Sequence, residues 1–277
     1  MDFSKLGLAA SESDDMTQNK SFERELPRAG VALMRLREYI ETGRHESKNP
    51  THKPALKAML IFELSHVDHL IDIDGKKVPQ TMIVRTNKGM TSKSGFKKLF
   101  NVMNAAHGGV FTHFTQMIGK SFLGEIFHNV SGEGDKAVTY ANLDKDGAWS
   151  MKAPVQVDAL SNSSVPIPVR ELDGLPRAFL WENPSIVDAD VVTMWESLFI
   201  EGTREVEDKT TKEKKEISKN WIQETIMKNI EWEGSTTQAL TQEHISLDEL
   251  SGAVEEPVTV IVTPEMVQPA TDVPTLD

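Results

Sequence analysis

From Gly30 to Ile40 apolar and polar residues alternate, with Ala32, Met34, Leu36 and Ile40 in one set and Arg35, Arg37 and Tyr39 in the other. Successive side chains of a strand point to opposite faces, so this period of two predicts a half-buried strand with a basic, aromatic outer face. The turn-rich stretch TGRHESKNPTHKP leads to the apolar run Ala58 to Leu64, which reads as a central strand. Asp74-Gly75 is a turn signal ahead of a third strand over Thr81 to Thr86. The period then changes. Ser92 or Ser94 can cap a helix whose stripe is Phe96, Leu99, Phe100, Val102 and Met103, and Gly108-Gly109 ends it. Ile118 to His128 and Lys136 to Leu143 are two further strands, separated by SGEGD. The predicted order is three strands, a helix and two strands.

Beyond Met151 the texture differs. Pro154, Pro166, Pro168 and Pro176 predict an extended, turn-rich passage, followed by a short helix near Ala189 to Leu198. Arg204 to Lys219 is a mixed charge run that suits a solvated arm or hairpin. Ser218 to Ile230 reads as an amphipathic helix with Trp221, Ile222, Thr225, Ile226 and Ile230 toward the core. Packing signals fade from Gly234, and the tail holds one β-prone island, VTVIV (Val258 to Val262). Residues 1–25, rich in Ser, Asp, Asn and Gln, predict a disordered leader. The division expected is therefore a leader at 1–25, a core at 26–153, an extension packed on it at 154–233 and a disordered acidic tail at 234–277.

Composition narrows the class. With 39% apolar and 26% charged residues the chain has an ordinary globular balance. It has no Cys, which removes disulfides, thiolate zinc sites and cysteine nucleophiles and suits a reducing compartment. No signal peptide or membrane span is legible, so a cytoplasmic location is expected and no membrane partner.

Net charge is −12, which by itself argues against a polyanionic ligand. Its distribution argues otherwise. Thr241 to Asp277 holds eight carboxylates and no Lys or Arg, so −8 of the −12 lies in that stretch. Gly75 to Lys120 reverses the balance, with Lys76, Lys77, Arg85, Lys88, Lys93, Lys97, Lys98 and Lys120 and no carboxylate.

Enzymatic motifs are weak. Gly119-Lys120-Ser121 suggests a phosphate loop, but the Gly required five positions earlier is Phe114. His66, Asp68, His69, Asp72 and Asp74 match no metal-ligand spacing, and a solvated loop explains them better. His107 and His113 flank a Gly-Gly turn without a nearby carboxylate. No nucleophile elbow or carboxylate pair stands out, so the expectation is a non-enzymatic chain with no cofactor and no metal.

The basic segment carries the stronger signal. Arg35 and Arg37 add to it from the first strand, and Tyr39, Phe111, Phe114, Phe122 and Tyr140 are interleaved with it. Cations that track phosphates and rings that stack on bases are the chemistry of single-strand binding. On this reading Arg35, Arg37, Lys57, Lys76, Lys77, Arg85, Lys88, Lys93, Lys97, Lys98 and Lys120 contact DNA. Tyr39, Phe122 and Tyr140 stack, while Phe96 and Phe100, at helical spacing, belong to the core. Strand parity leaves Phe62 and Phe127 open.

The element order, the basic and aromatic face and the acidic tail resemble an oligonucleotide-binding (OB) barrel: a mainly β fold of five strands with a helix between strands three and four. MIGKSFLGEIFHN…KAVTYANLDKDGAW (Met117 to Trp149), AGVALMRLREYIETG (Ala29 to Gly43) and LIFEL (Leu60 to Leu64) are similar to bacteriophage single-stranded DNA-binding proteins, over about Leu26 to Ala153. The resemblance implies coating of single strands in phage DNA replication and recombination, in the host cytoplasm. It also implies recruitment of replication proteins, such as a polymerase or a helicase/primase, through tail acids including Glu255, Glu256, Glu265, Asp272 and Asp277. Family tails often end in an acidic run capped by an aromatic residue, whereas this chain ends DVPTLD. Two rivals differ in kind: a phage assembly or interaction protein without a nucleic-acid role, and a magnesium-dependent nuclease using Asp68, Asp72 and Asp74.

Overall fold

Alternation at the start of the first strand persists for only half its length, and that break organises the molecule. The computed structural model describes residues 25–47, 49–73, 75–133, 137–158, 160–161, 163–207, 214–241 and 261–262. Strand β1 (Gly30–His45) pairs antiparallel with β2 (Ala55–Leu64), and the register steps from Leu36 opposite Phe62 to Glu38 opposite Ile61. Arg37 is thus the extra residue of a bulge, and one extra residue inverts the facing of those that follow, until a second step between Glu41 and Gly43. Met34, Leu36 and Tyr39 all enter one core, whereas Ile40 enters another.

A small hairpin, β3 (Leu70–Ile73) and β4 (Lys76–Pro79), precedes β5 (Thr81–Asn87), which pairs antiparallel with β2. Helix α1 (Gly95–Ala105) follows; the Ser94 hydroxyl caps it by accepting from the Lys97 N–H at 3.2 Å. Phe96, Leu99, Phe100 and Met103 face inward, as the helical stripe predicts. Strand β6 (Ser121–Ser131) pairs with the first half of β1, and β7 (Val138–Asn142) pairs with β6. The hairpin β8 (Asp144–Lys145) and β9 (Ala148–Trp149) leads to β10 (Met151–Lys152) on the far side of β6.

The chain is mainly β. Its large, mostly antiparallel sheet runs β10-β6-β1-β2-β5, with β7 also on β6. Strand β7 lies near β5, but among the described residues no ladder joins the two, so the sheet is not a closed barrel.

The extension begins with hairpin β11 (Val155–Val157) and β12 (Ser164–Pro166), then an irregular run to β13 (Arg177–Phe179), which pairs parallel with the second half of β1. Helix α2 (Asp188–Ser197), hairpin β14 (Thr203–Glu207) and β15 (Lys214–Ser218), helix α3 (Trp221–Met227) and the short α4 (Thr236–Thr241) complete it. The charge run at 204–219 is therefore a hairpin around residues outside the described set. Ile40, Met59 and Ile61 on the outer face of β1 and β2 meet Phe179, Trp181, Trp195, Ile222, Ile226 and Trp232 in a second core. Burying each such side chain contributes on the order of 1.5–3 kcal/mol. Ile222 and Ile226 follow the predicted amphipathic face, whereas Ile230 lies beyond the helix and is exposed.

Packing also runs past position 233, since Thr237 and Thr241 are buried. The Glu182 carboxylate accepts from the N–H groups of Thr236 and Thr237; partial burial pushes it up, but these bonds and that of the Thr237 hydroxyl together outweigh it and hold it below the usual carboxylate range. Of the predicted island, Ile261–Val262 form β16, parallel to β5. The leader expected at residues 1–25, apart from Glu25, and most of the acidic tail, with Glu255, Glu256, Glu265, Asp272 and Asp277, lie outside the described residues. Among the described residues no helix is long and apolar enough to cross a membrane.

Candidate nucleic-acid interface

The outer face of β1 carries its predicted cations, but the protein already engages them. The Arg35 guanidinium donates to the carbonyls of Arg170 (2.7 Å), Gly119 (2.8 Å) and Val169 (2.9 Å) and to the Glu171 carboxylate (2.8 Å). Arg37 pairs with the buried Glu38 at 2.6 Å and lies 3.7 Å from Glu63. Both arginines are largely covered. The extension, which sequence periodicity could not place, lies across the expected groove.

Tyr39 and Phe122 correct the sequence reading outright. Both are fully buried in the first core, Tyr39 stacked on Phe114 and Phe122 edge-on to Phe62 and His107. The bulge at Arg37 turns Tyr39 inward, and strand parity places Phe122, Gly124 and Ile126 inward together. Phe62 faces inward for the same reason. Neither Tyr39 nor Phe122 can stack on a base. His107 and His113 lie in the same region, and burial lowers the pKa of each.

The predicted cations do not converge on one groove. Lys76 and Lys77 are exposed on the β3–β4 hairpin ahead of β5, while Lys88 and Lys93 follow its other end. Seven residues of strand, roughly 20 Å, separate the two groups. Lys88 pairs with the buried Glu41 at 2.7 Å, and the half-buried Lys57 donates to the Glu46 carbonyl at 3.4 Å. Arg85 lies over the Trp221 ring at 5.3 Å, on the face that the extension covers. Lys93 is exposed, Lys97 lies over Phe100 at 4.7 Å, and Lys98 is half-buried. Exposed Lys120 lies over Phe111 at 5.9 Å.

A different face stays accessible. On β6 the outward positions are Ser121, Leu123, Glu125, Phe127 and Asn129. Phe127 stands opposite Asn142 and Asn129 opposite Tyr140, so the half-buried rings of Phe127 and Tyr140 are diagonal neighbours on paired strands. Exposed Lys145 reaches over the Phe127 ring at 6.0 Å. Exposed Lys152, opposite Leu123, extends the face onto β10. Of the expected stacking residues only Tyr140 belongs here. Phe127, left open by the sequence, falls on this face, as the alternation in SFLGEIFHN requires once Phe122 is known to face inward, whereas Lys145 and Lys152 were missed. Glu125 is the one acid among the outward β6 positions. Asp144, at the foot of β7, is buried, which pushes its carboxyl above the usual range.

The metal reading gains nothing. Asp68 pairs with Arg28 at 3.3 Å, Asp72 accepts from the Gly75 N–H at 2.8 Å, and Asp74 lies outside the described residues. Among the described residues no three His, Asp or Glu side chains converge to hold a metal ion. A cleft of about 520 Å³ is lined by Glu41, Glu182, Glu231 and Glu233 against only Arg44 and Lys88, the wrong sign for a phosphate backbone. No family model, curated protein or solved structure matches the chain.

Proposed function

We propose that this chain is a non-enzymatic, sequence-tolerant single-stranded DNA-binding protein, and that β1, β2, β5, β6 and β7 are the five strands of an oligonucleotide-binding fold with α1 between the third and fourth. The observation that carries the reading is the placement of two partly open rings, Phe127 and Tyr140, as diagonal neighbours on adjacent strands with Lys145 over one of them. Rings so placed suit stacked bases, because every base has a π-face, and nearby lysines suit the phosphates. The single strand would run along the outer face of β6 and β7, and would serve coating of DNA in replication and recombination.

The acid-rich sequence after Thr241 fits a role beside that face, as a weak competitor for the lysines and a contact for replication proteins. A fluorescent oligothymidine titrated at two salt concentrations tests the proposal. Binding that falls steeply with salt is expected from counterion release. No binding at low salt would end it, and magnesium-dependent loss of the oligonucleotide would replace it with a nuclease.

A further inference from the structure

Residues 169–174, between β12 and β13, form an extended strap over the outer face of β1, held mainly by polar contacts. The Arg35 guanidinium receives the carbonyls of Val169 and Arg170 and the Glu171 carboxylate, while Gly119 supplies a fourth oxygen. The Glu63 carboxylate, itself 3.7 Å from Arg37, accepts from the N–H groups of Asp173 (2.7 Å) and Gly174 (3.1 Å). Gly174 allows this close approach, since a Cβ there would lie 2.8 Å from Arg37 Nη1 and 2.9 Å from its Cδ, and the strap or the Arg37 side chain would have to shift. No side chain of the strap is fully buried: Val169 and Leu172 are half-buried, the Glu171 side chain is 89% exposed, and Leu175 just beyond it is 82% exposed. Glu171 and the two strap carbonyls offer Arg35 what a phosphodiester offers, several oxygens set around one planar fork.

Arg35 also shares a surface with the candidate interface. It stands opposite Ser121 and Leu33 opposite Leu123, so the outer face of β1 continues directly into that of β6. Ser121 and Phe127 are six residues apart on β6, about 20 Å of strand. A single strand lying over Tyr140 and Phe127 and following β6 would arrive at Arg35.

Resting on the single-strand reading above, we propose that Arg35 and Arg37 form a latent phosphate-binding site, that residues 169–174 occupy it in the free protein as a stand-in for a nucleic-acid backbone, and that bound single-stranded DNA displaces them. The strap lowers affinity by the fraction of molecules in which it is closed, so loosening it raises affinity.

The test is hydrogen exchange on the full chain, with and without saturating oligothymidine at low salt, alongside titrations of Gly174→Ala and Glu171→Gln. Gly174→Ala crowds the strap against Arg37 without changing charge. Glu171→Gln removes the negative charge from an exposed contact to Arg35, so it remains informative if the first variant fails to fold. Faster exchange at the Asp173 and Gly174 amides on binding is expected, with affinity higher by on the order of threefold to tenfold in Gly174→Ala. Wild-type binding with those amides equally or better protected, or with affinity unchanged in both variants, overturns the latent site and leaves the single-strand reading standing. No binding by wild type or either variant overturns both.

Discussion

The phenol of Tyr39 donates a 2.8 Å hydrogen bond to the carboxylate of Glu41, two residues further along the same strand, with both side chains buried. Lys88 closes on the same carboxylate from the end of β5. Tyr39 is therefore part of a buried polar clasp. Tyr39→Phe removes a hydrogen bond to a charged group, and a loss of about 1.5–3 kcal/mol in denaturant-measured stability is expected. Affinity for oligothymidine should stay unchanged; a drop would return Tyr39 to the interface.

Burial, reinforced by the Glu41 charge, raises the Tyr39 pKa far above its ordinary value. The unfolded phenol titrates near pH 10. Because the folded pKa is the higher one, its stabilising contribution is full below about pH 10 and declines above it, as the unfolded state loses its proton first. Unfolding midpoints measured from pH 9 to pH 11 should fall more steeply in the wild type than in Tyr39→Phe. Parallel slopes would show that the phenol ionises freely.

Phe127→Ala and Tyr140→Ala should each weaken single-strand binding by ~1–3 kcal/mol. Phe122→Ala, in the core, should instead cost ~3–5 kcal/mol of stability. Anisotropy titrations paired with thermal melts separate the two effects, and intact affinity in both Phe127→Ala and Tyr140→Ala would move the site elsewhere.

Glu125 faces outward between Leu123 and Phe127 and opposes phosphates laid along β6. Glu125→Gln should tighten oligothymidine binding at low salt by a factor that shrinks as salt rises, whereas Lys145→Gln should reduce the salt slope by about one. An unchanged slope in Lys145→Gln would exclude that lysine from phosphate contact.

Glu38 is fully buried between Arg37 (2.6 Å) and Arg177 (2.8 Å). Glu38→Gln leaves Arg177 without its buried counter-charge and Arg37 with only Glu63 at 3.7 Å, and a loss of ~3–5 kcal/mol is expected. Since Arg177 opens β13, the extension should loosen first. Trp195 fluorescence would then change before the far-ultraviolet signal of the sheet during urea unfolding, and coincident transitions would contradict the order.

Periodicity and end signals determined the local structure. Alternation marked the first half of β1, helical spacing placed Phe96, Leu99, Phe100 and Met103 on one face of α1, and Ser94 stood ready to cap it. These are interactions between near neighbours, which a single sequence records. Tertiary structure decided which cations and rings meet solvent. A single extra residue at Arg37 sent Tyr39 into one core and Ile40 into another, and no alternating pattern announces where a ladder will slip. The covering of β1 depended on contacts between residues more than a hundred positions apart, Arg35 with Val169 and Glu63 with Asp173. Charge counts named the basic residues; only tertiary packing, by the extension over Arg35 and within the core at Lys88, separated those already bonded to protein from those facing solvent, because a guanidinium satisfied by carbonyls and one facing water look identical in sequence.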